Sequence, residues 1–236
     1  MNAVEALSKV LTRSSSLAEL YTRVSHAASA PAPFGRPVML HIKMSYNPNP
    51  YHNIDHAIHV ASCCRMLMNL YEVTVDDGAN ELWFAAFMHD ARHSGGSAPD
   101  SINVQRAISA ADVVASHTHR VRLRRPMVSR LIQVTEFNAK SRTFVHEPIT
   151  MCEKIIRDAD LLGFTSPNWP KMLAGLFREM YGDQPSSDDA TMVSNAERML
   201  RLNTEFLSSC TFYTDFARKA FTEYSEEVFR ALEHVE

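Results

Sequence analysis

The chain has 236 residues, 45% hydrophobic and 22% charged, so it can bury a full core as one large domain. A formal net charge of −3 argues against a general polyanion binder. Four cysteines without a C-x-x-C pair, Cys63, Cys64, Cys152 and Cys210, exclude a disulfide framework, a zinc ribbon and a thiol redox motif, and point to a reducing, cytoplasmic setting.

Seven glycines is few, and apolar residues recur at three- and four-residue spacing, so helices are expected along most of the chain. Glu5 stands where a secretory signal needs apolar residues. In SLAELYTRV, Ser16 and Glu19 are in capping-box register ahead of a face made by Leu17, Leu20, Tyr21 and Val24. ASAPAPFGRP and SYNPNP read as loops. Helical patterns cover 51–71 and 81–90; RHSGGSAPDS breaks the chain; helices resume over 102–117 and 128–134. A further helix fits 152–162, ended by the turn GFTSPNWP. The last helices fit 171–180, 191–208 and 214–236, with GDQPSSDD as a polar loop. No strand is expected, and no apolar run is long enough to span a bilayer. The expectation is a single compact all-α domain over residues 1–236, without a membrane partner.

Three clusters carry chemistry. YHNIDH places His52 and His56 four apart, on one face of the expected helix. FMHDARHSGG holds His89 and Asp90 side by side, with His93 three residues on. IIRDADLL sets Asp158 and Asp160 in an otherwise apolar helix, where an ionised carboxylate is costly unless paired or metal-bound. An imidazole–carboxylate set from His56, His89, Asp90 and Asp160 suits Zn²⁺, Fe, Mn²⁺ or Mg²⁺. Asp90 has a second oxygen with which to bridge a second ion, the arrangement used for in-line attack on phosphorus.

The order H…HD…D resembles the HD superfamily of metal-dependent phosphohydrolases, and in detail the catalytic domain of class I cyclic-nucleotide phosphodiesterases. YHNIDH resembles that family's aromatic-HNxxH motif, FAAFMHDARHSGG its FAA-x-x-HD-x-x-H-x-G block, VTEF its ATD-M segment, and Ala159–Asp160–Leu161 its ADL motif. The likeness runs from about Tyr51 to Leu161. It implies a compact multi-helix fold with two divalent ions, Zn²⁺ at the tighter site and Mg²⁺ or Mn²⁺ at the second. It implies that His52 is the general acid and that His56, His89, Asp90 and Asp160 are metal ligands. His93 would orient waters of the second ion. Tyr51, Asn203 and Phe206 would contact a small-molecule nucleotide.

The chain departs from that family in three places. Asn203 stands in LNTEF where the family has a purine-reading glutamine, three residues before Phe206. The asparagine usually found soon after ADL is absent, and only 160 − 90 = 70 positions separate Asp90 from Asp160. The first expectation is therefore hydrolysis of 3′,5′-cyclic nucleotides to 5′-monophosphates. The same ligands serve an HD nucleotidase, a dNTP phosphohydrolase or a signalling-oligonucleotide hydrolase. A non-catalytic metal-stabilised binding scaffold is a third reading, against which His52 and His93 count.

Other features receive plainer readings. His59 is expected to be structural, and His117 and His119 to lie at an exposed helix end. Asp158 is expected to pair with Arg157 or another cation. The arginines Arg120, Arg122, Arg124, Arg125 and Arg130 read as a solvated loop rather than a nucleic-acid site, since interleaved aromatics are missing.

Overall fold

The computed structural model describes residues 22–24, 26, 34–117, 122–166, 169–182 and 189–233. The capping box at Ser16, His119, Arg120 and most of the GDQPSSDD loop lie outside the described residues.

Helix α1, Arg36–Met44, falls partly where a loop was expected. Proline is the reason: Pro37 sits in the first turn, where its missing N–H costs nothing and its fixed φ suits the helix. Val38 and Ile42, four apart, form its buried side.

Helix α2, Ile54–Leu70, begins later than the sequence pattern implied. Its cap is Asn53, whose side-chain oxygen accepts the N–H groups of Asp55 and His56 at 2.9 and 3.3 Å. His56 is therefore in the first turn, while Tyr51 and His52 lie on the approach to the helix. The expectation that His52 and His56 share one helical face is corrected: the cap at Asn53 stops the helix short of His52.

Helix α3, Ala79–Met88, is apolar all round from Leu82 to Met88 and is buried to match. Its one buried acid, Glu81, is held by the backbone N–H, Nε and Nη2 of Arg124 at 2.9, 3.0 and 3.2 Å. Helices α4, Asp100–Ala115, and α5, Arg125–Gln133, complete this half, with α3 packed on α2 and α5. Arg124 and Arg130 thus serve internal ion pairs, the latter with Glu153 at 3.3 Å.

A short antiparallel hairpin, β1 Phe137–Asn138 and β2 Thr143–Phe144, follows, where no strand was expected. Two residues a side leave no alternation to read. Helix α6, Met151–Leu161, packs on α2 and ends in a 3-10 turn, Leu162–Thr165. Helices α7, Trp169–Tyr181, α8, Asp189–Ser209, and α9, Asp215–Glu233, follow. The architecture is all-α, and among the described residues no helix is long and apolar enough to cross a membrane.

Three positions of α6 organise its surroundings in three directions. Arg157 is buried, donates to the carbonyls of Val134 and His146, and lies 3.6 Å over the Phe144 ring, clamping the base of the hairpin. Burial lowers its pKa to about 10. Asp158 does not pair with Arg157 as expected. Its carboxylate accepts the N–H of Tyr213 at 3.0 Å and of Thr214 at 2.7 Å, fixing the chain as it enters α9. Ala159 is fully buried in the core, and Asp160 turns to the site.

Candidate metal centre

Two buried imidazoles meet head-on between α2 and the end of α3. His56 Nε2 and His89 Nε2 are 3.3 Å apart. His56 Nε2 lies 3.1 Å from Asp160 Oδ1 and 3.3 Å from Asp90 Oδ2. His89 Nε2 lies 3.1 Å from Asp90 Oδ2 and 3.4 Å from Asp160 Oδ1. His56, His89 and Asp90 form a compact trio, and Asp160 joins it through both nitrogens.

Local structure aims these atoms. His89 caps the C-terminal end of α3 and donates from Nδ1 to the Ala86 carbonyl at 2.9 Å, which leaves Nε2 as the lone-pair nitrogen of the neutral ring. His56 enters from the first turn of α2, with the centroid of the Tyr51 ring 4.6 Å from its own and a buried Nδ1 that has no hydrogen-bond partner among the described residues. Asp160 arrives from the last turn of α6. His59, close to one turn on from His56, donates from Nε2 to the Leu162 carbonyl at 3.1 Å, and so ties α2 to the turn that follows Asp160. Burial lowers the His59 pKa to about 4, the mark of a structural neutral ring.

The donor set fits a divalent ion. Two imidazole nitrogens facing each other at hydrogen-bond distance require something positive between or beside them, a proton or a metal. For metal–ligand bonds of about 2.0–2.2 Å, neighbouring corners are about 2.8–3.1 Å apart in an octahedron and about 3.3–3.6 Å apart in a tetrahedron. The observed separations fall across that range, and nitrogen with carboxylate oxygen is a set that Zn²⁺ or Mn²⁺ accepts. Electrostatics agree. Burial opposes a charged His89, but Asp90 and Asp160 outweigh it and hold its pKa well above the ordinary value. The same balance raises His56. Burial likewise opposes the charged form of Asp160, yet His89 and His56 hold it well below the usual carboxylate range.

His52 stands beside this centre, its ring 6.1 Å from that of His56. Its partner is Glu179 on α7, which sequence reasoning missed. Glu179 Oε2 lies 2.6 Å from His52 Nδ1, and Oε1 accepts the N–H groups of Tyr51 and His52 at 2.7 and 3.0 Å. Only 3% of the Glu179 side chain is exposed, against 22% of His52, so the pair has one dry end and one wet end. Burial raises the Glu179 pKa, but the bonds to His52 and the two backbone N–H groups lower it overall. A lone glutamate in LFREMYG carries no motif, so only the fold could reveal it.

His93 stacks on His52 with ring centroids 3.7 Å apart. The Gly95 N–H donates to its Nδ1 at 3.1 Å, and the Asn103 amide meets its Nε2 at 2.9 Å. Burial, then the neighbouring His52, lowers its pKa to about 4. Its nitrogens thus face protein groups, and its ring lies against that of His52. Asp100 Oδ1 is 4.0 Å from His93 Nε2, while Oδ2 accepts the Phe137 N–H at 2.7 Å; burial raises this carboxyl to about 6.

The fold therefore brings together His52, His56, His89, Asp90, His93, Asp160 and Tyr51. Asn203 and Phe206, expected to touch a nucleotide, add no atom to that cluster. Asn203 Nδ2 donates to the Tyr224 hydroxyl at 3.1 Å, and Phe206 meets Phe137 edge-on at 5.3 Å. His117 stacks on His41 away from the centre, with ring centroids 4.4 Å apart. No protein-family model matches the chain, and no curated protein matches it.

Proposed function

We propose that this chain is a metal-dependent phosphoric ester hydrolase of the HD type, opening a 3′,5′-cyclic nucleotide to its 5′-monophosphate. One observation carries the reading: two buried imidazole nitrogens, His56 Nε2 and His89 Nε2, each within 3.4 Å of oxygens from both Asp90 and Asp160. A divalent ion at that point would supply a Lewis acid and an acidified water for attack on phosphorus. We assign Zn²⁺ to these four residues and Mg²⁺ or Mn²⁺ to a second position beside Asp90.

The chain's own groups supply the remainder. Glu179 accepts a hydrogen bond from the Nδ1–H of His52 and fixes the ring. His52 then delivers the Nε2 proton to the ribose oxygen as the P–O3′ bond breaks and a hydroxide, left when the acidified water gives one proton to solvent, bonds to phosphorus. A different phosphoester, such as an oligonucleotide or a 5′-nucleotide, is the second reading. Asn203 favours it, because it stands where the family has a longer glutamine and one of its two amide N–H groups is given to Tyr224.

The test is chromatography of cAMP and cGMP after incubation with the protein and Mn²⁺, beside bis(p-nitrophenyl) phosphate and 5′-nucleotides. AMP or GMP formed by the wild type and not by His52→Ala supports the first reading. Cleavage of other phosphoesters alone supports the second. Metal-loaded protein that cleaves none of them overturns both.

A further inference from the structure

We infer that Gly175 is a positioning residue for the His52–Glu179 pair: its missing side chain is what lets α7 come close enough for Glu179 to reach His52. The inference rests on the role given to His52 above, but its geometry stands independently. A Cβ built on Gly175 would overlap the Pro50 carbonyl oxygen, and would lie 2.8 Å from the Pro50 carbonyl carbon and 3.3 Å from Tyr51 N. These are backbone atoms, so no side chain can rotate out of the way. Glu179 is four residues further along α7, about one helical turn, and its carboxylate accepts the N–H of the same Tyr51 and of His52. The helix thus touches the 50–52 segment twice, by bare backbone at Gly175 and by the carboxylate at Glu179.

A second glycine meets the same helix at Glu179. Gly96, with φ of 86°, would place a Cβ 2.8 Å from the Glu179 carbonyl oxygen. The loop that carries it begins at His93, and Asn49, in the segment before His52, donates to the His93 carbonyl at 2.9 Å. The segment before α2, the His93 loop and α7 therefore meet backbone to backbone around Glu179. The packing requires glycine at both contacts.

Replacing Gly175 by alanine moves α7 outward by about 1 Å, since carbon atoms in contact prefer about 3.5–4.0 Å. Alanine is the better helix former, so the local effect on α7 has the opposite sign, and lost function would report the displacement. A shift of about 1 Å in a catalytic group lowers turnover by about 10- to 100-fold.

The test uses Gly175→Ala, Glu179→Gln and the double variant of the full chain, with Gly96→Asn as the second contact variant, asparagine being a residue that tolerates positive φ. The first readout is independent of activity: the proton NMR signal of the His52 Nδ1–H, shifted downfield by its short bond to a carboxylate. It is expected in the wild type and lost in Glu179→Gln, Gly175→Ala and Gly96→Asn, with metal content unchanged. The second readout is kcat on the phosphoester that the wild type turns over. Gly175→Ala should lose about 10- to 100-fold, and adding it to Glu179→Gln should cost nothing more, since both act through one pair. A downfield signal retained in folded Gly175→Ala or Gly96→Asn overturns the inference, as do losses that multiply in the double variant. Lack of any phosphoester turnover in the wild type, with the NMR result as expected, would overturn the proposed function and leave the positioning role standing.

Discussion

Changing Glu179 to glutamine probes the proton donor without disturbing the proposed metal ligands. The amide that replaces the carboxylate keeps an oxygen for the N–H groups of Tyr51 and His52, now 2.7 and 3.0 Å from Oε1. It then turns its NH₂ toward His52 Nδ1, where the present 2.6 Å bond needs an acceptor. His52 loses a bond to a charged carboxylate worth about 1.5–3 kcal/mol. At about 1.4 kcal/mol per factor of ten, turnover should fall by about 10- to 150-fold. The assay compares kcat on a cyclic nucleotide with kcat on bis(p-nitrophenyl) phosphate. Nitrophenolate leaves without a proton, whereas the ribose oxygen needs one, so the loss should be confined to the nucleotide. An equal loss on both substrates, or a loss of bound metal, would refute this role for the pair.

Three further outcomes follow from the charges and buried bonds. Metal binding should release protons, because Asp90 and Asp160 raise the pKa of His56 and His89 above the ordinary imidazole value in the metal-free protein. Calorimetry in buffers of different ionisation heat should read a net release of protons on metal binding, and no release at all would contradict it. The same shifts have a signed consequence for the metal-free protein: the His56 and His89 contribution is fully present below the unfolded imidazole pKa. It is lost as pH rises through the raised folded values, so its thermal stability should fall with pH across neutrality. A stability that is flat or rising over that window would count against the shifts. Asp158→Ala strands the buried N–H of Thr214 and the half-buried N–H of Tyr213, costing about 2–4 kcal/mol by chemical denaturation, while metal content stays normal.

The helices and the candidate metal donors are legible in the sequence for different reasons. Helices α2 to α6 announce themselves through apolar spacing, and His56, His89, Asp90 and Asp160 through polar residues set in apolar surroundings. Helix α1 was hidden because Pro37 reads as a breaker when it is in fact an opening residue. The hairpin at Phe137–Phe144 is too short to show alternation; Arg157 and the Asp100–Phe137 bond hold it. Glu179 was invisible for a stronger reason. Its partner lies 127 residues away, and the contact depends on two glycines whose value is apparent only where backbones touch. Asp158 and Arg157 show the limit of pairing neighbours by charge. Adjacent on one helix, they point to different parts of the fold.

The central claim is that His56, His89, Asp90 and Asp160 hold a divalent ion. Metal content per chain, measured by mass spectrometry on purified wild type, His52→Ala and Asp160→Ala, tests it most directly. The account predicts at least one tightly held transition-metal ion in the wild type and in His52→Ala, and its loss in Asp160→Ala. Equal metal content in all three, or no metal retained by the wild type after dialysis against Zn²⁺ and Mn²⁺, would contradict it.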